Sequence, residues 1–163
     1  AMTARLRPLA QQALVVTGAS SGIGLVTARM AARRGARVVL AARNAPALEE
    51  AVAGIRGEGG EAACMAADTG RREDMERLAD FAAERYGGVD TWVNNAGVGL
   101  YGRITDTPLE DMRQLFETNF WGVVHGSLAA VRVMAARGGA LVNVGSVTSD
   151  RAIPLQGVYA ASK

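Results

Sequence analysis

Cysteine and histidine are almost missing from this chain of 163 residues, and each scarcity removes a class of chemistry. A lone cysteine, Cys64, can form neither an internal disulfide nor a zinc cluster. Its setting, Ala62-Ala-Cys-Met-Ala66, reads as buried strand with the thiol as a small core hydrophobe. The single histidine, His125, has no carboxylate or second ligand near it in sequence, so it reads as a core or interface residue, and no metal site is expected. No apolar stretch approaches the ~20 residues of a membrane span, and the first residues lack a signal-peptide pattern. No membrane partner is expected, and cytoplasm is the expected compartment. Runs of basic residues with interleaved aromatics are also missing. Eighteen basic residues against sixteen acidic ones leave a net charge of +2, scattered through Arg33-Arg34, Arg56, Arg71-Arg72 and Arg137, so no nucleic-acid partner is expected. Ala1, ahead of Met2, is set aside as an addition outside the fold.

What is present is apolar material in short, regular portions. Hydrophobic residues make up 49% of the chain, enough for one core in a single domain over residues 1–163. Apolar runs alternate with amphipathic segments, the pattern of strand-helix units that build a parallel sheet. The predicted strands are Ala13–Thr17, Arg37–Ala42, Glu61–Ala67, Thr91–Asn94 and Ala140–Val144, each apolar enough to be covered by helices on both faces. A first helix is predicted from Gly22 to Arg34, with Ile23, Val26 and Met30 on one stripe and Gly35 as its C-terminal cap. A second covers Ala45 to Arg56 and a third Arg72 to Tyr86, each closed by glycines. A fourth starts at Thr107-Pro-Leu-Glu110, with threonine as cap and proline in the first helical position, and runs to Arg137. Trp92 and Trp121 read as packing residues.

Two constellations carry chemistry. Thr17-Gly-Ala-Ser-Ser-Gly-Ile-Gly24 follows the first strand and opens the first helix. Glycines there allow a sharp turn and close approach of a ligand, and a helix N-terminus offers unpaired N–H groups and a positive dipole end, which suits a pyrophosphate. The glycine spacing differs from that of the common dinucleotide fingerprint, and no Lys-Ser/Thr ending of a triphosphate-binding loop follows. At the end of the second strand, Leu40-Ala-Ala-Arg-Asn44 offers no carboxylate for a ribose 2′-hydroxyl, whereas Arg43 can clamp a 2′-phosphate. NADP(H) is therefore favoured, with NAD(H) still possible. The second constellation is Tyr159 and Lys163, four apart and so on one helical face, with Ser146 thirteen positions before the tyrosine. A cation beside a phenol favours the phenolate, giving an acid or base usable near neutral pH.

With Asn94-Asn-Ala-Gly97 ending the fourth strand and Asn119 inside Glu117-Thr-Asn-Phe-Trp-Gly122, the chain resembles the short-chain dehydrogenase/reductase family from about Ala13 to Lys163. The resemblance implies a Rossmann-type, doubly wound α/β domain with parallel strands in the order 3-2-1-4-5. It implies that Gly18, Ser20, Ser21, Gly22, Ile23 and Gly24 surround the cofactor phosphates, that Asp68 binds adenine, and that Asn95, Ala96 and Gly97 line the ribose side. The two asparagines could equally brace the strands. It implies a catalytic set of Asn119, Ser146, Tyr159 and Lys163: Ser146 orienting a carbonyl, Tyr159 exchanging the proton, Lys163 acidifying Tyr159 and holding the nicotinamide ribose, Asn119 anchoring a water. The expected activity is transfer of a hydride between NADP(H) and a small alcohol or ketone, in a homodimer or homotetramer packed through the long helix and the Tyr159 helix. A non-catalytic NADP(H)-binding module and an epimerase or dehydratase on the same scaffold remain open. Family members continue past this lysine, so further strands and a substrate-closing loop are expected beyond it, with Ala140–Val144 an exposed sheet edge without them.

Overall fold

Alternate residues of each strand face opposite sides of a sheet, and in this chain both sides are lined with Val, Leu and Ala, so helices must cover both. The structure, a computed structural model, describes residues 6–163; Ala1 and Met2 lie outside them. Five parallel strands stand in the order β3-β2-β1-β4-β5: β1 Ala13–Thr17, β2 Arg37–Ala42, β3 Glu61–Ala66, β4 Thr91–Asn94 and β5 Ala140–Asn143. This is the Rossmann-type arrangement expected. Val15 pairs in register with Val39 on one side and Trp92 on the other.

One face packs Leu14, Val16, Val38 and Leu40 against α1 (Gly22–Arg33) and α2 (Ala45–Gly57), the latter contributing Leu48, Val52 and Ile55. The opposite face packs Val15, Val39, Ala63 and Trp92 against α3 (Arg72–Tyr86) and α5 (Gly122–Met134), through Met75, Leu78, Ala129 and Met134. Trp92 is fully buried and is the packing residue expected. Truncating an aromatic so placed costs about 3–5 kcal/mol.

Several expectations are corrected. In α1 the Ile23, Val26 and Met30 stripe faces outward, at 70%, 55% and 47% exposure, while Gly24, Ala28, Ala31 and Ala32 meet the sheet. Residues 24, 28, 31 and 32 form a helical stripe of their own, and only small side chains let the helix sit close to β1 and β2. Gly35 does cap this helix, at φ +86°, with Gly35 N–H bonded to Ala32 O and Ala36 N–H to Ala31 O. The long fourth helix is not uniform. It consists of α4 (Leu109–Phe116), a π-helical turn (Glu117–Trp121) and α5. Pro108 is its N-cap and no side chain caps it; the Thr107 hydroxyl instead donates to Arg103 O at 2.9 Å. Trp121 is not packed inside but exposed, edge-on to Phe120 and stacked on His125. Strand β5 is apolar yet exposed at Leu141 and Val142, since among the described residues only β4 flanks it. Cys64 is half-buried at the outer edge of the sheet, where burial first and then Glu49 push its thiol upward in pKa, favouring the protonated thiol.

Candidate active site

The C-terminal ends of β1 to β4 open into one cleft, the place where doubly wound sheets take ligands. After β1 the chain turns at Gly18 with φ +65°. A Cβ there would stand 2.7 Å from Ala96 Cα, so only glycine lets the β1 and β4 loops touch. Gly24 is needed for a different contact: a Cβ on it would lie 2.5 Å from both Asn95 Nδ2 and the Gly18 carbonyl oxygen. Gly22, at φ +55° with open space around it, lets the backbone enter α1. The first bond within the helix runs from Leu25 N–H to Ser21 O at 3.3 Å, which leaves the preceding N–H groups directed out of the helix end. Ile23 offers this turn its backbone alone, because its side chain points to solvent.

Gly18, Ser20, Ser21, Arg43, Asp68, Ala96 and Gly97 line the resulting cavity of about 300 Å³, together with Thr69, Val98 and Thr118. Seven of the residues read from the sequence thus share one wall-to-wall space. Gly22, Ile23, Gly24 and Asn95 stand behind or beside it. Asp68 serves a turn at the same time: its Oδ1 accepts from Gly70 N–H at 3.0 Å, and its own N–H donates to Asp74 Oδ2 at 2.9 Å. Arg43 is exposed at the rim, where no carboxylate of the Leu40–Asn44 segment opposes it.

Both asparagines at the end of β4 brace the frame. Asn94 is buried; its Oδ1 accepts from Trp92 Nε1 at 2.8 Å and its Nδ2 donates to Asn143 Oδ1 at 2.9 Å and Ser127 Oγ at 3.1 Å, tying β4 to β5 and α5. Asn95 Nδ2 donates to Thr17 O at 3.0 Å. Thr17, at the head of the glycine motif, has a part that the motif alone does not reveal. Its buried hydroxyl accepts from Asn95 N–H and Ala96 N–H at 3.0 and 3.1 Å, fixing the β4 loop against the β1 turn. A threonine at a strand end among aliphatics is the signal that could mark it.

Of the second constellation, Lys163 lies at the far end of the cleft, with Asn119 beside it. A Cβ on Gly97 would be 3.2 Å from Lys163 Nζ and 3.4 Å from Asn119 Oδ1, so the bare glycine is where the cleft meets these two side chains. Asn119, buried in the π-helical turn, closes a two-way bridge with Val98: its Oδ1 accepts from Val98 N–H at 2.8 Å and its Nδ2 donates to Val98 O at 2.9 Å. The same Nδ2 donates to Ser162 Oγ at 3.0 Å, and Ser162 Oγ donates to Tyr159 O at 2.7 Å. Ser162 is absent from the residues read from the sequence, although a serine next to a site lysine is a visible signal. Tyr159 lies in α6 (Gly157–Ser162), and Lys163 forms that helix's C-terminal cap rather than part of its body. Lys163 Nζ donates to Val144 O at 3.3 Å. Among the described residues no hydrogen bond joins the Tyr159 hydroxyl to Ser146 or Lys163. Ser146 caps a short 3-10 turn (Val147–Ser149) and bonds within it to Thr148. His125 sits apart, half-buried, with Nδ1 3.2 Å from Thr69 O.

The residues present fit a dinucleotide: a helix N-terminus, a glycine turn with room beside it, and a cation at each end of the cleft. The family model for short chain dehydrogenases matches residues 12–163. An oxidoreductase of Bacillus subtilis (strain 168), YxnA, is 50% identical over 161 residues, 98% of this chain and 45% of that protein. Among solved structures, an alcohol dehydrogenase from the archaeon Thermococcus sibiricus, complexed with 5-hydroxy-NADP, superposes with a TM-score of 0.89 at 33% identity, covering 93% of this chain and 65% of that one. A short chain dehydrogenase/reductase from Burkholderia phymatum in complex with NAD gives 0.92 at 32% identity, covering 96% and 57%. The chain belongs to the short-chain dehydrogenase family. It spans about half the length of the Bacillus relative and under two thirds of either structure.

Proposed function

We propose that the intact protein is an oxidoreductase acting on a small alcohol or ketone with a nicotinamide dinucleotide, NADP(H) in preference to NAD(H). The observation that carries this reading is continuity: the cleft that starts at the glycine turn and α1 ends, at Gly97, against Lys163 and Asn119. When bound, the nicotinamide supplies or accepts the hydride. The Gly22–Gly24 backbone N–H groups hold the diphosphate, and Asp68 the adenine end. Ser146 donates a hydrogen bond to the substrate oxygen. Tyr159 gives that oxygen its proton in reduction and takes it back in oxidation. Asn119 has spent both amide protons, on Val98 and Ser162, so a water meets only its remaining Oδ1 lone pair. Its chief part is to hold the β4 loop and α6 in one frame.

Arg43 supports the cofactor preference, since a guanidinium can grip a 2′-phosphate and the strand end provides no carboxylate to repel it. Steady-state turnover of a carbonyl panel with NADPH and with NADH tests the reading. Turnover with NADPH is expected, with kcat/KM about tenfold or more above that with NADH, the worth of one charge-assisted contact. Tight cofactor binding with no turnover on any carbonyl would contradict it and point to a binding module.

A further inference from the structure

One residue meets both acceptor positions of the Ser146 hydroxyl. The Thr148 backbone N–H donates to Ser146 Oγ at 3.2 Å, and the Thr148 hydroxyl donates to the same oxygen at 2.8 Å. Thr148 is 5% exposed and Ser146 half-buried. A hydroxyl carries one proton and two lone pairs. The amide contact has a fixed polarity, because a backbone N–H can only donate. Once Thr148 Oγ1 takes the second lone pair, Ser146 is left with a single function toward any ligand, the donation of its own proton.

We infer that Thr148 is a positioning residue that commits Ser146 to act as a hydrogen-bond donor, so that the position beside it accepts only a hydrogen-bond acceptor: a carbonyl oxygen, or the oxygen of an alcohol whose proton goes elsewhere. The inference rests on the reading of Ser146 as the hydroxyl that holds the substrate. It deepens that reading by naming the residue that fixes the polarity of Ser146. The sequence Thr148 O–H to Ser146 Oγ, then Ser146 O–H to substrate oxygen, is a chain in which each bond polarises the next. Its effect grows as negative charge builds on the substrate oxygen, so it acts on the chemical step more than on cofactor binding. The polarity also serves the reverse reaction. An alcohol gives its proton to Tyr159 and keeps a lone pair for Ser146. The 3-10 turn holds the arrangement, with Ser149 N–H bonded to Ser146 O at 3.1 Å.

The test uses four variants of the intact protein: Thr148→Val, Thr148→Ser, Ser146→Ala and Ser146→Ala with Thr148→Val. Valine keeps the branched shape and the backbone N–H and removes only the hydroxyl. Carbonyl turnover is read together with cofactor affinity by fluorescence titration and with the thermal midpoint. Thr148→Val is expected to lower kcat about tenfold, the size of one lost hydrogen bond, with cofactor affinity unchanged. Thr148→Ser restores kcat to within about twofold. The double variant is no slower than Ser146→Ala, because Thr148 works only through Ser146. Full activity of Thr148→Val beside a crippled Ser146→Ala overturns the inference alone, as does a multiplied loss in the double variant or an equal loss in both Thr148 variants. Full activity of Ser146→Ala, or a parent protein without turnover, removes the catalytic reading and this inference together.

Discussion

Tyr86 closes α3 with its ring in the core, near the Arg37 and Arg85 guanidiniums, and among the described residues its buried hydroxyl makes no hydrogen bond of ordinary geometry. Burial first, then Glu61, push its pKa above the usual tyrosine value of about 10, with Arg85 and Arg56 opposing. The unfolded chain releases this proton first, so between the unfolded and folded pKa the native state holds more protons and stability falls as pH rises. The stability is whole below about pH 10 and is lost as pH climbs through the raised folded value. Tyr86→Phe removes both the orphaned hydroxyl and the titration. Urea unfolding should show this variant at least as stable as the parent at pH 7, within about 1 kcal/mol, and flatter above about pH 10. A variant less stable by about 2 kcal/mol or more would show that the hydroxyl has a partner after all. At this scale the glycine turn is legible in sequence because Gly18 and Gly24 answer a steric demand, visible as spacing. Thr17, Thr148 and Ser162 are marked in sequence by position alone, and their roles are not legible there, since a hydroxyl's partner is decided by which loops fold against it.

Elements show a different limit. The strands are legible to within about one residue, because a short apolar run bounded by glycine leaves few alternatives in an α/β chain. The outward stripe of α1 is not, since apolar spacing locates a face without saying which of two faces the sheet selects; Ala28, Ala31 and Ala32 win on size. The π-helical turn at Glu117–Trp121 leaves no mark in apolar periodicity, yet it carries Asn119. A wider turn at this point sets the Asn119 amide against the Val98 peptide and Ser162 together. Asn119→Ala leaves the Val98 N–H and C=O without that partner. The expected loss is about 1–3 kcal/mol of unfolding free energy, with kcat falling alongside. Unchanged stability in chemical denaturation would mean that water replaces the amide without cost and that the bridge does not hold the frame.

For the whole molecule the sheet order, the two-sided core and the family are legible because five motifs occur in the order the topology requires. Apolar surface left outside the core is harder to foresee, because composition does not say where it will lie. Phe120, Trp121, Leu128 and Val131 stand exposed along the π turn and α5, about half of each side chain in solvent. We propose that a second copy covers this side in a homodimer or homotetramer. Sedimentation of the intact protein is expected to give a multiple of the monomer mass that Trp121→Glu with Val131→Glu reduces to one copy, whereas a monomeric parent would contradict the proposal.

The proposed activity depends on the Tyr159 hydroxyl handling the substrate's proton at the end of a dinucleotide cleft. Comparing kcat for carbonyl reduction between the intact protein and Tyr159→Phe, at saturating NADPH, isolates that single oxygen atom. A fall of about a hundredfold or more with cofactor affinity unchanged is the expected result. Equal rates would take Tyr159 out of the chemistry and the proposed mechanism with it.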